Sequence, residues 1–339
     1  MTAPLIEGGR GAGTILAGDG TLDIVRGTAA GERIAGQGGE DNLSGGGGDD
    51  RIVGGAGHDT LDGGAGDDVL RERGRGPNYA LGGPGNDDLA GVEGSLTGGP
   101  GADTLRLGGA ARRASLAGGP GNDTYVLRRH GRPQLVELPR EGRDRVLTTA
   151  SFTAPTGIER VKALGARRVT LRAGDGDQRL VAGRGGAVLA GGPGADTLVG
   201  GRNRDTLRLG TDGFDHATGG GGPDRFVPGG HPVLFQRPAF LARPAGRTAH
   251  RLADFRPAEG DRLELNAAAF GAEVRQLARR FELVKGPNPT PGRRILTLLF
   301  DTPTGLLSYD SDGSGHLSDH VVAVVPDARS PKRNWFAFT

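Results

Sequence analysis

Cysteine is absent from the 339 residues, so neither a disulfide framework nor a thiolate metal site holds this chain together. Any metal it takes must bind oxygen or histidine. Aromatic residues are scarce at 4 %, and apolar residues reach only 35 %, which leaves a conventional close-packed core short of large side chains. No apolar run approaches the roughly 18 residues of a membrane span. The opening MTAPLIEGGRG lacks the basic and apolar regions of a cleavable secretory signal, so the chain is expected to be soluble and to use another route for any export. Lysine occurs only at Lys162, Lys285 and Lys332, which removes a P-loop. H-E-x-x-H, G-x-S-x-G and a cysteine nucleophile are missing as well. On these grounds no enzymatic activity is expected.

What the chain has in excess is glycine, 66 of 339 residues, nearly three times the usual level of about 7 %. The glycines do not recur every third residue, which excludes collagen. The 42 basic residues balance 40 acidic ones, which argues against a self-repelling disordered tail. That near-neutral total hides a segregation: residues 36 to 71 carry eight acids and two arginines, a charge of −6, whereas residues 127 to 190 carry thirteen bases and six acids, a charge of +7. The acidic block needs counter-charge.

Glycine recurs instead with a period of nine. GGGGDDRIV from 45, GGAGHDTLD from 54 and GGAGDDVLR from 63 abut, and five more full copies begin at 82, 98, 118, 191 and 219, each reading Gly-Gly-x-Gly-x-Asp-x-apolar-x. Weaker copies at 9, 18, 27 and 36 extend the frame backwards, and others at 173, 182, 200 and 210 flank the copy at 191. The frame slips by one residue at Glu72, ahead of RGRGPNYAL with Asn78 in the aspartate place, and again at Leu209.

Three glycines in six residues supply the bare, positive-φ positions of a tight turn. The last three positions read as a short strand with one apolar residue turned inward, namely Ile52, Leu61, Val69 or Leu70, Leu89 and Leu105. Two nonapeptides then make one coil of turn, strand, turn and strand, and equivalent positions return every 18 residues. The expected fold is all-β, a parallel β-roll or solenoid in two arrays, with a core one apolar residue thick.

In such a coil the sixth-position side chains stack at about the 4.7 Å strand spacing. Asp41 falls beside Asp59, Asp50 beside Asp68, Asp59 beside Asn78, Asp68 beside Asp87, Asp196 beside Asp215 and Asp205 beside Asp224. Asp103 and Asp123 join these candidate ligands, although Glu93–Thr97 and Leu107–Ala117 break the frame around them. Two like charges at about 5 Å repel by roughly 3 kcal/mol at an effective dielectric of about 20. A cation between the turns removes that penalty. Carboxylates and glycine carbonyls form an all-oxygen, flexible ligand set that suits calcium better than magnesium, and several ions are expected.

With eight full copies, three of them contiguous, the sequence resembles the RTX (hemolysin-type, repeats-in-toxin) calcium-binding proteins. The resemblance implies a parallel β-roll with calcium between successive turns, secretion without a cleavable signal peptide, and export by a type I machine. The stretch with TYVL, VEL and IERVKALG is similar to the connector that joins two arrays in such proteins. HRLADFRPAEGDRLELNAAAFGA and ILTLLFDTPTGLLSYDSDGSGHLSDHVVAVV resemble the tails of serralysin-type and alginate-epimerase modules. The expected organisation is a first array at 1–126, a β connector at 127–172, a second array at 173–227, and a β-rich C-terminal cap with a secretion-signal region at 228–339.

Within the tail, Asp310 and Asp312 open an EF-hand-like run whose twelfth position is Val321 rather than glutamate. They are candidate calcium ligands, with a plain hairpin turn as the competing reading. His316 and His320 stand four apart, but Leu317 occupies the place of the catalytic glutamate. The leading functional expectation is a secreted, non-catalytic β-roll that folds on binding calcium outside the cell. The alternatives are a surface adhesin holding anionic polysaccharide through the basic connector and Arg275, Arg279, Arg280, Arg293 and Arg294, and a hydrolase using paired acids such as Asp301 and Asp310. Nucleic acid is disfavoured as a partner because few aromatics are present for stacking.

Overall fold

The computed structural model describes residues 5–7, 15–74, 78–108, 114–128, 133–210 and 212–229, then residue 259, residues 261–265 and the strands at 233–235, 250–252, 282–286, 297–301, 306–310, 321–324 and 336–338. All regular structure among them is strand, apart from a single 3-10 residue at 259. The chain divides into two units, Met1–Ala150 with Pro155–Lys162, and Ser151–Ala154 with Ala163–Thr339. The division falls inside the stretch expected as a connector.

In the first unit two parallel sheets face each other. One runs through Leu5–Glu7, Ile24–Arg26, Asn42–Gly47, Thr60–Ala65, Tyr79–Leu81, Ser95–Thr97, Ser115–Ala117 and Gln134–Val136. The other runs through Ile15–Ala17, Arg33–Gly38, Arg51–Ala56, Val69–Arg71, Asp88–Gly91, Thr104–Leu107, Thr124–Leu127 and Asp144–Thr148. Where the nonapeptides abut, the register advances by 18 residues, as in Leu43↔Leu61 and Ile34↔Ile52. This is the parallel β-roll.

Most strands bury one core side chain between more exposed neighbours, while Thr124–Leu127 buries all four residues and Leu5–Glu7 and Gln134–Val136 bury none. The inner columns are Val25, Leu43, Leu61, Ala80, Leu96 and Leu116 on one sheet, and Ile34, Ile52, Leu70, Leu89, Leu105, Tyr125 and Val146 on the other. At the ambiguous position Leu70, not Val69, is buried. Glycine makes the turns possible at defined places: Gly55 and Gly57 have φ of +122° and +141°, and a methyl on Gly57 would collide with the Gly39 carbonyl oxygen of the preceding coil.

The apparent frame breaks are changes of turn length only. Ser95–Thr97 and Ser115–Ala117 keep their places in the sheet and bury Leu96 and Leu116, while the register advances by 16 residues from Tyr79 to Ser95 and by 20 from Ser95 to Ser115. Loop length is cheap to vary in a coil whose strands carry the core.

The second unit repeats the pattern. Val169–Arg172, Ala187–Ala190, Thr206–Arg208 and Arg225–Val227 pair in parallel, burying Leu171, Leu189, Leu207 and Phe226. Arg179–Val181, Thr197–Val199 and His216–Thr218 form the facing row, with Leu180, Leu198 and Ala217 inside. Arg262–Leu265 extends the first of these rows, setting Leu263 beside Phe226, and Phe336–Phe338 follows in parallel. Thr297–Asp301 pairs antiparallel with Leu306–Asp310, which pairs antiparallel with Val321–Val324.

A core one side chain thick has no second layer to relax into a void. Leu89→Ala, at a fully buried position, is expected to cost about 2–5 kcal/mol in denaturant unfolding of the calcium-loaded protein. Leu22→Ala, at 46 % exposure, is expected to stay within about 0.5 kcal/mol of the parent.

Candidate metal centre

The turns of the first unit place acids in two ladders. Along one, the backbone N–H of Asp23 donates to Asp41 Oδ1 (2.9 Å), that of Asp41 to Asp59 Oδ1 (3.0 Å) and that of Asp59 to Asn78 Oδ1 (2.9 Å). Along the other, Glu32 donates to Asp50, Asp50 to Asp68, Asp68 to Asp87, Asp87 to Asp103, Asp103 to Asp123 and Asp123 to Asp144, all at 2.6–2.8 Å. Asp144 N–H then donates to Glu159 Oε2 at 2.6 Å. The structure therefore brings Asp103 and Asp123 into line despite the broken frame, because the lengthened turns lie outside the ladder.

These bonds use one carboxylate oxygen and leave the other. Asp41, Asp50, Asp59, Asp68, Asp87, Asp103 and Asp123 are at most 2 % exposed, and Oδ2 of each is buried without a hydrogen-bond partner. An orphaned buried carboxylate oxygen is costly. The space it faces is defined by the first glycine of each repeat: a methyl built on Gly45 would touch both Asp50 Oδ2 and the Gly63 carbonyl oxygen one coil on, and Gly63, Gly82 and Gly98 show the same pair of neighbours in their own turns. Each slot is thus bounded by a carboxylate oxygen that finds no donor and by a carbonyl oxygen. The Gly82 and Gly98 carbonyls accept one N–H each, from Gly64 and Gly83, which leaves a second lone pair on each oxygen. This ligand set fits a hard divalent cation such as calcium.

Burial, opposed by the N–H bond and reinforced by neighbouring acids, raises the carboxyl pKa of Asp41, Asp50, Asp68, Asp87 and Asp123 to about 6, and that of Asp103 to about 7. Without a cation these groups resist ionisation at neutral pH.

The second unit carries the same ladder with fewer spare oxygens. Gln178 N–H donates to Asp196 Oδ1, Asp196 to Asp215, Ala187 to Asp205, Asp205 to Asp224 and Asp224 to Asp261. Asp196 keeps an orphaned Oδ2 and a pKa raised to about 7, chiefly by burial. In contrast, Asp205 Oδ2 accepts Gly201 N–H and Asp215 Oδ2 accepts Gly210 N–H, both at 2.6 Å. Those two acids sit in GGRNRDTLR and GTDGFDHAT, whose departures from the consensus let the turn satisfy its own carboxylate.

Sequence reasoning missed several acids of the site. Asp23 and Glu32 occupy the sixth position of the weak copies at 18 and 27, so their signal was in frame. Glu72 reads as a slipped residue in the sequence. In the fold it takes the register place of Gly54 one coil on, and its unpartnered Oε2 meets Asp59 Oδ2 beside Gly54. The neighbouring ladder position is the neutral Asn78, so Glu72 restores the missing negative charge. Asp312, His316, His320 and the tail arginines lie outside the described residues, and of Asp301 and Asp310 only the backbone is described.

Comparison with protein families matches residues 26–70 and 172–207 to the RTX calcium-binding nonapeptide repeat, in four copies. Comparison with curated proteins and with solved structures gave no match. The matched residues include Asp41, Asp50, Asp59 and Asp68 of the first unit and Asp196 and Asp205 of the second. With its coil, its ladders and these matches, the chain carries RTX-type calcium-binding repeats in both units.

Proposed function

We propose that this β-roll acts without catalysis as a secreted protein that folds when it meets calcium outside the cell. The observation that carries the reading is the row of buried carboxylates Asp41, Asp50, Asp68, Asp87 and Asp103, each with one orphaned oxygen beside a glycine carbonyl of the next coil. Where calcium is scarce the ionised ladder opposes closure. At extracellular concentrations calcium removes the opposition, since sites of this kind bind at about 10⁻⁴ to 10⁻³ M. At ten times Kd each ion contributes about 1.4 kcal/mol, so a handful shifts the equilibrium decisively. The extracellular location and type I export follow from the RTX resemblance. The absence of a catalytic role is supported by the ladders, which account for the buried aspartates that would otherwise suggest acid–base chemistry.

Circular dichroism of the purified chain is expected to show little strand signal in excess chelator and full strand signal in millimolar calcium, with no turnover of a hydrolase panel by the loaded protein. Equal strand signal in both conditions, or calcium-dependent hydrolysis, contradicts the reading.

The raised carboxyl pKa values give the metal-free protein an inverted pH response. Each such acid holds its proton more tightly folded than unfolded, so folding is unpenalised below about pH 4 and loses stability as pH rises through 6 to 7. In chelator, strand content is expected to be higher at pH 5 than at pH 8. A gain of structure over the same rise in pH contradicts the assignment.

A second reading, adhesion to anionic polysaccharide, is favoured by one groove of the first unit. Arg71, Arg73, Arg106 and Arg128 line it together with Val92 and Leu107, and Arg71 and Arg106 are both braced on Asp88. The calcium-loaded protein is then expected to be retained on immobilised alginate at moderate salt and to elute earlier as the Arg73→Ser, Arg128→Ser double variant. Flow-through of the parent removes this reading.

A further inference from the structure

In the first sheet, the register place after the three residues that carry the core side chain forms a column that reads Gly27, Gly45, Gly63, Gly82, Gly98, Gly118 and finally Glu137. Every glycine in it leaves room for the slot beside its own repeat. Glu137 reverses that logic by sending a carboxylate back over Gly118, where a regular coil would offer only a backbone carbonyl. Three acids converge there. One ligand oxygen from each of Asp123, Glu137 and Asp144 lies within 4.8 Å of the others, and Asp123 Oδ2, Glu137 Oε2 and Asp144 Oδ2 are all buried without a hydrogen-bond partner. Asp123 and Asp144 are 0 % and 1 % exposed.

Two features show a built site. Tyr125, fully buried in the opposite core column, reaches across to donate its hydroxyl proton to Glu137 Oε1, while that hydroxyl oxygen accepts Gly118 N–H at 2.5 Å. This fixes Glu137 and leaves its second oxygen, Oε2, buried without a donor. The backbone N–H groups of Asp123 and Asp144 are meanwhile spent on Asp144 Oδ1 and Glu159 Oε2, so no local donor neutralises the three orphaned oxygens. Oxygens up to 4.8 Å apart match opposite ligands of an ion held at about 2.3–2.6 Å.

We propose that Asp123, Glu137 and Asp144 form a calcium site of their own at the connector end of the first ladder, outside the nonapeptide frame, with Tyr125 as the residue that positions Glu137. The proposal rests on the reading that the ladder holds calcium and adds to it a site with three carboxylates, in place of the aspartates and glycine carbonyl of a regular slot. Such a site carries more negative charge than its neighbours and is expected to fill first.

The test uses the full chain with calcium and with terbium as a luminescent substitute. The protein has three tyrosines and one tryptophan, and Tyr125 touches a proposed ligand, so terbium added below stoichiometry is expected to give strong tyrosine-sensitised emission. Tyr125→Phe is expected to lose most of that emission and keep the number of calcium ions seen by calorimetry. Glu137→Gln is expected to lose the emission and one calcium ion, the tightest, while the remaining ions still bind. An unchanged ion count and first affinity in Glu137→Gln overturns the proposal and leaves the ladder reading intact. A parent protein that binds no calcium overturns both. If Glu137→Gln fails to gain strand signal in calcium, Tyr125→Phe decides: lost emission supports the site, and undiminished emission overturns it.

Discussion

The structure depends on a mismatch between donors and acceptors inside its turns. In the first unit each ladder aspartate from Asp41 to Asp144 receives one backbone N–H from the coil before it, which fixes the carboxylate and pulls it out of water. The second oxygen then has nowhere to go. In most proteins such a group would be selected against, because a buried unpaired charge costs several kcal/mol. Here the cost recurs once per turn, and a divalent cation shared between coils offsets it many times over. On the proposed function, metal binding and folding are one process.

Glycine serves this arrangement in two ways. It lets the backbone take the positive φ of the turns, and it leaves a space that any side chain would occupy. At Glu72 and Glu137 that space is filled by an acid with an orphaned oxygen. These two departures preserve the anionic character of the row. Asp205 and Asp215 go the other way, since their turns supply an N–H to the second oxygen. The second unit is accordingly poorer in open slots than the first.

Much of this was legible in the sequence because the repeat is short and strict. Ile52, Leu61, Leu89 and Leu105 follow from period-2 alternation within the strand, which left Val69 or Leu70 open, and the pairing of Asp50 with Asp68 follows from the 18-residue coil. What escaped were positions defined by register across coils. Glu137 has no motif around it, and its meaning appears only when Val136 is seen beside Ala117. Glu72 looked like a slip because an inserted residue and a substituted ligand are indistinguishable along the chain. The turns of different length around Asp103 and Asp123 obscured a ladder that strand pairing maintains.

The most direct test of the ladder is diffraction from crystals grown in calcium, with anomalous differences recorded at long wavelength. The account predicts a row of calcium peaks, one per slot, between the carboxylates of Asp50, Asp68, Asp87 and Asp103 and the glycine carbonyls opposite them. Slots filled by water or by arginine side chains, with no anomalous signal, would contradict it.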